Sequence, residues 1–253
     1  MAGKKIYFVS DFHLGIPDHN KSLEREKKLV RWLDNIRTDA EEIFLMGDIF
    51  DFWFEYKTVV PKGFVRLMGK LAEISDAGIP VHLFKGNHDL WAFDYLEKEV
   101  GLHLYRFPVV RQIMGKTFFL AHGDGLGPGD KSYKFLKSVF EFPPNQFLFR
   151  WLHPDVGAWM GSYFSRRSRL AKMSRAGKEE AHFDKEKEML FQYAQKKAEA
   201  HPEVDFFVFG HRHMPIILPV NAKTHLVILG DWISHFSYGI FDGNTFRLAV
   251  FDD

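Results

Sequence analysis

The chain has no cysteine in its 253 residues. Disulfide staples, thiolate metal ligands and thiol nucleophiles are all excluded, and the lack of sulfur cross-links fits a reducing compartment. No stretch reaches about 18 consecutive apolar residues, so no membrane-spanning helix is expected. The opening segment, MAGKKIYFVSDFH, holds no apolar run of signal length. A cytoplasmic protein is the expectation, with association at a membrane surface left open. There is little net charge, +1 in all, so nothing global points to nucleic acid. Internal repeats and low-complexity tracts are absent, and no feature demands an obligate protein partner.

What is present is the composition of a folded globular chain: 46% hydrophobic, 26% charged and 16% aromatic, with 27 Phe. The length suits one large α/β domain or two small ones. Short apolar runs recur, and most end in Gly, Asp, Asn or His. KIYFVS (residues 5–10) leads into DFHLG, EIFLM (42–46) into GDIFD, and VHLF (81–84) into KGNHD. TFFLA (117–121) leads into HGDG, VDFFVF (204–209) into GHRH, and THLVIL (224–229) into GDW. Continuous runs of this length predict strands buried on both faces. Leu29, Leu33 and Ile36 share one helical face, and Phe64, Leu67, Met68, Leu71 and Ile74 another, which stops at Gly78 before Pro80. Met114-Gly115-Lys116 and Asp242-Gly243-Asn244 predict hairpins. Parallel units followed by antiparallel ones predict an α/β fold of mixed sheets flanked by helices.

Residues 131–175 break this rhythm. The segment is aromatic and basic, and Pro143, Pro144 and Pro154 interrupt it. It predicts a helical insertion, or cap, over the face that carries the motifs, with 1–130 and 176–253 forming the core. A charged helix over about 179–200 returns to that core. Phe135, Phe140, Phe147, Leu148, Trp151, Trp159, Tyr163 and Phe164 could line an apolar groove between short helices, as acyl chains would need. The run SRRSR (165–169) with Lys172 could hold phosphate or dock on anionic lipid head groups. A plain helical subdomain with an internal core and a solvated basic face is the simpler alternative.

Five strand ends carry metal-type side chains: Asp11 and His13; Asp48 and Asp51; Asn87, His88 and Asp89; His122 and Asp124; His211 and His213. Strand C-terminal ends in an open α/β sheet converge on one crevice. Carboxylate, imidazole and carboxamide donors without thiolate suit Mn²⁺, Fe or Zn²⁺ better than Ca²⁺ or Mg²⁺. Seven or more ligands exceed what one ion takes. Two ions about 3.5–4 Å apart, bridged by a carboxylate and a hydroxide, would use them, and such a pair activates water against a phosphoryl group. Each motif alone is weak, since GDxxD or GNHD can be an ordinary turn. All five in order, each after an apolar strand, are the signal.

DFH, GDIFD, GNHD, HGD and GHRH together resemble the signature of the calcineurin-like metallophosphoesterase superfamily, over about 5–125 and 203–250. The resemblance implies a four-layer α/β/β/α sandwich of two mixed β-sheets, here with the helical insertion. It implies two divalent metal ions, Mn²⁺ first with Fe or Zn²⁺ as alternatives. One ion would take Asp11, His13, Asp48 and His213, and the other Asp48, Asn87, His122 and His211, with Asp48 bridging. His88 would be the general acid or oxyanion stabiliser, and Asp51 and Asp89 would fix the ligands. Substrate contacts would fall on Asn87, His88, His211, Asp124, Tyr133, Arg166, Ser168 and Arg169. Within the superfamily, DFHLG, GDIFDFW, HGDGLGPGDKSYK, the basic-aromatic insertion and GHRHMP resemble the branch acting in lipid A biosynthesis on a glycolipid nucleotide, UDP-2,3-diacylglucosamine. That implies UMP and 2,3-diacylglucosamine 1-phosphate as products and a peripheral place on the cytoplasmic face of the inner membrane. The chain departs from that branch at His88, where many members have Arg. Another nucleotide pyrophosphatase or phosphodiesterase, or a non-catalytic scaffold, are the alternatives. His235, close after GDW, is a further side chain that could approach the site.

Overall fold

A computed structural model describes residues 3–129, 131–179 and 184–252, with side chains over 3–129, 131–166 and 184–252. The first sheet has six strands: β1 (Lys5–Val9), β2 (Ala40–Leu45), β3 (Val81–Phe84), β4 (His103–Tyr105), β10 (Ser237–Phe241) and β11 (Phe246–Val250). Their order is β11-β10-β1-β2-β3-β4. β1 to β4 run parallel, and β10 and β11 add an antiparallel edge. The second sheet holds β5 (Val109–Ile113), β6 (Lys116–Leu120), β7 (Phe206–Phe209), β8 (Ile216–Pro219) and β9 (His225–Ile228), in the order β5-β6-β7-β9-β8. β6, β7 and β9 are parallel, while β5 and β8 are antiparallel edges. Both expected hairpins form, β5–β6 at Met114-Gly115 and β10–β11 at Asp242–Asn244.

The alternation of side chains along each strand sorts the layers. Ile6, Phe8, Phe44, Met46 and Phe84 point to the space between the sheets, against Phe118, Leu120, Val208 and Val227. Tyr7, Val9, Ile43, Leu45, Val81 and Leu83 point the other way, onto α1 (His19–Ile36), α2 (Val65–Asp76) and α3 (Tyr95–Val100). Phe119, Phe207, Leu226 and Ile228 leave the second sheet's outer face for α7 (Met189–Ala200). The result is the expected helix, sheet, sheet, helix order. Leu29, Leu33 and Ile36 of α1, and Leu67, Leu71 and Ile74 of α2, are the buried stripes that periodicity selects. Phe64, before α2, has a left-handed backbone and no capping side chain. The cap comes instead from the buried Glu26 on α1, which accepts from Arg66 N and Leu67 N at 2.8 and 3.0 Å.

The structure departs from the sequence pattern in three places. β4 and β8 were not anticipated: β4 has three residues, and β8 is an edge strand carrying Pro219, a residue edges tolerate. The returning helix starts at Met189, later than 179, after a single 3₁₀ turn at Lys185–Lys187. Third, the eight aromatic and aliphatic residues expected to line a groove are all exposed on α4 (Lys131–Glu141), α5 (Pro143–Phe149), α6 (Pro154–Glu179) and the turn after α5. They do not form the internal core of the simpler alternative, and Phe147 lines an open cavity of about 440 Å³ with Tyr56, Phe93 and Arg150. Aromatic contacts hold these helices to the loops after β2 and β3. Phe149 packs on Phe54 and Trp91, each at 4.7 Å between ring centres, and Trp91 Nε1 donates to Phe140 O at 2.9 Å. α6 lies flat against the loop after β2 through its small residues. A Cβ on Gly157 would sit 2.0 Å from Tyr56 Oη, and one on Gly161 2.2 Å from the Phe52 ring.

Phe8 is fully buried and packs on Phe44, Phe118 and Phe246 from both sheets, at 5.0, 5.7 and 5.2 Å. Phe8→Ala should therefore destabilise the chain by about 3–5 kcal/mol, read as a lower denaturant midpoint at unchanged slope.

Candidate metal centre

All five motifs lie past the C-terminal ends of parallel strands: DFH after β1, GDIFD after β2, GNHD after β3, HGD after β6 and GHRH after β7. Those from the two sheets meet across the seam between them. Across it, His211 N donates to Asp11 Oδ2 at 2.9 Å and His122 Nδ1 to Met46 O at 2.7 Å, while within each sheet Asp11 N donates to Gly47 O and His13 N to Asp48 O, each at 3.0 Å, and Gly210 N to His122 O at 2.9 Å. The chain turns sharply at each point. Among the described residues eight non-glycines have positive φ, and five of them are Asp11 (57°), His13 (44°), Asp48 (56°), His211 (67°) and His213 (51°). Each such residue costs of the order of 1–3 kcal/mol, and strain of this kind collects where a site demands it.

Glycine makes the crowding possible. A Cβ on Gly86 would fall 2.1 Å from Asp48 Oδ1 and 2.5 Å from Asp48 N, and one on Gly210 would fall 2.6 Å from Asp11 Oδ2. These glycines clear space for the carboxylates themselves.

Two groups of donors form. In the first, Asp11, His13 and His213 have ligand atoms within 4.8 Å of one another. His13 Nε2 and His213 Nε2 are 3.2 Å apart, and Asp11 Oδ1 lies 3.5 and 3.2 Å from them. In the second, Asp48, His122 and His211 converge equally closely. Asp48 joins the groups, with Oδ2 3.7 Å from His13 Nε2 and 3.4 Å from His122 Nε2. A third grouping, His13 with Asp51 and His88, is less suited to an ion. There the Nδ1 of His88 is engaged at 2.8 Å by the Asp51 carbonyl, which can only accept, so this nitrogen carries the proton.

The donor atoms fit cations. Asp11 Oδ1, Asn87 Oδ1 and His122 Nε2 are buried and make no hydrogen bond among the described residues, an expensive condition unless something else satisfies them. His122 Nδ1 donates to Met46 O at 2.7 Å, which turns the lone pair of Nε2 towards Asp48. Burial depresses the pKa of His13, which favours the neutral ligand form. Burial opposes charge on Asp48 too, yet the imidazoles of His122 and His88 hold it well below the usual carboxylate range. Against burial, the Asp48 carboxylate lifts His122 to about 10, and Asp11 lifts His213 to about 9. The crevice thus has a strongly negative potential that a positive ion would satisfy.

Around the donors stand groups that orient them. Asp89 is buried and accepts from Ile49 N (Oδ2, 2.8 Å) and Gly86 N (Oδ1, 2.5 Å), tying the GDIFD turn to the GNHD turn. Burial, then Asp48, raises it to about 6. Asp51 Oδ1 lies 3.7 Å from His13 Nδ1. Two such residues were not singled out from sequence. Asp231, after β9, lies 3.5 Å from His213 Nδ1 and accepts from the backbone N of Ile233, Ser234 and His235. His235 reaches this carboxylate, at 3.2 Å, and not the donor groups. Arg25 is buried on α1 and donates to Phe12 O and His13 O at 3.0 and 2.9 Å. GDW, which repeats the strand-glycine-aspartate pattern, was the available signal for Asp231. Arg25 had none, being one of many basic residues on a charged helix.

Of the expected substrate contacts, Asp124 and Tyr133 come together, with Tyr133 Oη donating to Asp124 at 2.5 Å and Lys137 Nζ 2.8 Å from the same oxygen. Burial and Asp124 both push the Tyr133 phenol up, so it stays a donor. Arg166 is exposed, with Nη2 3.4 Å from Pro17 O. The side chains of Ser168, Arg169 and Lys172 lie outside the described residues. Ser165, the first residue of the same run, is buried and reaches both Asp51 and His88.

Carboxylates and imidazoles gathered around one shared Asp, at the strand ends of a two-sheet sandwich, are the surroundings in which a hydrolytic metal centre forms. Residues 4–215 match the family model described as Calcineurin-like phosphoesterase, and the chain belongs to that family of hydrolases. A Porphyromonas gingivalis protein named UDP-2,3-diacylglucosamine hydrolase is 42% identical over 257 residues, with 98% of each chain covered. Proteins of the same name from Hahella chejuensis and Escherichia coli are each 26% identical, over 247 and 230 residues. The first alignment covers 95% of both chains, and the second covers 89% of this chain and 90% of the other.

Asp231→Asn keeps the shape but removes the charge behind His213. Apparent metal affinity, followed by titrating metal-free protein with Mn²⁺, should fall about 10–100-fold, with the fold intact by circular dichroism.

Proposed function

We propose that the chain is a metal-dependent pyrophosphohydrolase that cleaves UDP-2,3-diacylglucosamine to UMP and 2,3-diacylglucosamine 1-phosphate. The chemistry rests chiefly on Asp48, whose Oδ2 stands between His13 and His122 and joins two donor groups. The substrate rests on the full-length relationship to the Porphyromonas gingivalis protein of that name. Asp11, His13, Asp48 and His213 would hold one ion, and Asp48, Asn87, His122 and His211 the other. When bound, two Mn²⁺ ions, with Fe or Zn²⁺ as alternatives, supply Lewis acidity and a hydroxide at neutral pH.

His88 is set for proton exchange. With Nδ1–H given to the Asp51 carbonyl, acid or oxyanion work falls to Nε2. Its backbone N is fixed by Asp48 Oδ1 at 2.9 Å. Asn87 and His211 meet the α-phosphate beside it, where water adds and the bond to the bridging oxygen breaks. Asp124, Tyr133, Arg166, Ser168 and Arg169 are the further substrate contacts that the family resemblance implies, and Tyr133 and Asp124 are hydrogen-bonded to each other. The exposed aromatic surface of α4–α6 supports an acylated substrate and a membrane from which to draw it. No described helix is long and apolar enough to cross a bilayer, so a peripheral place on the cytoplasmic face of the inner membrane suits the reading.

Two measurements test it. The Mn²⁺-loaded protein should hydrolyse UDP-2,3-diacylglucosamine at least a hundredfold faster, by kcat/KM, than UDP-glucose or bis(p-nitrophenyl) phosphate, and Asp48→Ala should lose more than 99% of that activity. Equal rates on all three would sink the substrate assignment, and turnover surviving in Asp48→Ala would sink the role of the bridge. Trp151 and Trp159 are well exposed, and each would contribute about 1.5–3 kcal/mol if buried in lipid. Their joint replacement by Ala should weaken sedimentation with anionic vesicles at least tenfold.

A further inference from the structure

Ser165 is the one described residue of the SRRSR run whose side chain is buried. Its Oγ donates to Asp51 Oδ2 at 2.9 Å. It also lies 3.1 Å from His88 Nδ1. The directions of these bonds are set by what each partner can do. The Asp51 carbonyl only accepts, so His88 Nδ1 bears the proton and shares it between that carbonyl and Ser165 Oγ. The Oγ proton in turn goes to the Asp51 carboxylate. The three groups form a closed ring of hydrogen bonds, with two corners on the loops after β2 and β3 and one on α6.

The sequence of α6 explains how the serine gets there. Gly157, Gly161 and Ser165 recur at four-residue intervals, so they line one helical face. The first two have no room for a side chain against Tyr56 and Phe52. The bulky Trp159, Tyr163 and Phe164 turn to solvent. The helix therefore lies close enough along Phe52–Tyr56 for a side chain as short as serine to reach the motif loops. A longer hydroxyl or a helix held further off would not close the ring.

We infer that Ser165 is a positioning residue that holds the His88 ring in its reacting place and makes that place depend on the seating of α6. The inference rests on the proposed role of His88 at the scissile phosphate. The His88 ring makes an edge contact with His13 at 4.8 Å, and its hydrogen bonds at Nδ1, to the Asp51 carbonyl and to Ser165 Oγ, act directly on rotation about the Cβ–Cγ bond. Hydrolysis then proceeds with the cap helix down on the motif loops, which also keeps bulk water from His88.

The test is a double-mutant cycle on the Mn²⁺-loaded full chain. The kcat and KM are measured for wild type, Ser165→Ala, His88→Ala and the double variant. The substrates are UDP-2,3-diacylglucosamine and bis(p-nitrophenyl) phosphate, the second having no acyl chains for a cap to bind. Ser165→Ala should lower kcat about tenfold on both, with KM changed less than twofold. The double variant should be no slower than His88→Ala, because the serine works only through that ring. Effects that multiply in the double variant, or a rise in KM confined to the diacyl substrate, would overturn the inference and make Ser165 an independent or substrate-contacting residue. If His88→Ala is slow while Ser165→Ala matches wild type, this inference alone fails. If His88→Ala keeps full kcat on both substrates, the role given to His88 fails and the inference with it.

Discussion

Six carboxylates, Asp11, Asp48, Asp51, Asp89, Asp124 and Asp231, are buried around one crevice. This concentration of negative charge is the constraint from which the rest of the architecture follows. A buried anion survives only with partners, because desolvation costs several kcal/mol per ion. The chain supplies some of these partners itself. Asp89 and Asp231 are satisfied by backbone N–H groups, Asp124 by Tyr133 and Lys137, and Asp51 by Ser165. Asp11 and Asp48 each accept one backbone N–H, from His211 and His88, and turn the other oxygen to the imidazoles of the donor groups, Asp11 Oδ1 to His13 and His213 and Asp48 Oδ2 to His13 and His122. Cations held jointly with those imidazoles would offset the charge of both carboxylates.

The same constraint shapes the backbone. For Asp11, Asp48 and His122 to meet, chain from two different sheets has to come within hydrogen-bonding distance beyond the strand ends. Flat strands diverge there, so the turns must be abrupt, and Asp11, His13, Asp48, His211 and His213 take left-handed φ to make them. Asp and His are among the non-glycine residues that tolerate this conformation best. The ligand types and the turn geometry thus favour the same residues. Glycine fills the positions where even a methyl would strike a carboxylate, as at Gly86 and Gly210. The aromatic layer between the sheets, with Phe8 at its centre, supplies the rigidity against which this strain is held.

How far the sequence could be read follows from the distance over which each feature is determined. Strands β1, β2, β3, β6, β7 and β9 were legible because local apolar runs and a terminal glycine define them. The helix, sheet, sheet, helix layering came from the family resemblance, and the structure has it. The donor groups were legible because each motif is three to five residues long, although their meeting depends on the whole topology. Asp231 has the same strand-glycine-aspartate pattern as Asp48 but lacks the second carboxylate that GDIFD carries at Asp51, so its motif carried too little chemistry to stand out. Arg25 serves the site from the middle of α1, where nothing local distinguishes it from Lys27 or Lys28. The aromatic residues of α4–α6 were legible as unusual but not as exposed, because composition cannot tell a surface from a core when both are apolar.

Ser165 shows the same limit more sharply and indicates what the cap adds to the core. In the sequence it is the weakest member of SRRSR, next to arginines whose charge suits a phosphate better. Its importance comes from a spacing to Gly157 and Gly161 that matters only once α6 has found Phe52 and Tyr56. Those aromatics belong to GDIFDFWFEY, the same segment that supplies Asp48 and Asp51. One stretch of chain therefore does two things: its first half carries the carboxylate shared by the donor groups, and its second half is the seat for the cap helix. Movement of α6 away from that seat would withdraw Ser165 from His88 while leaving Asp48 where the sheets put it. The donor groups are built into the rigid sandwich. The placement of His88 is the part of the site that the cap can govern.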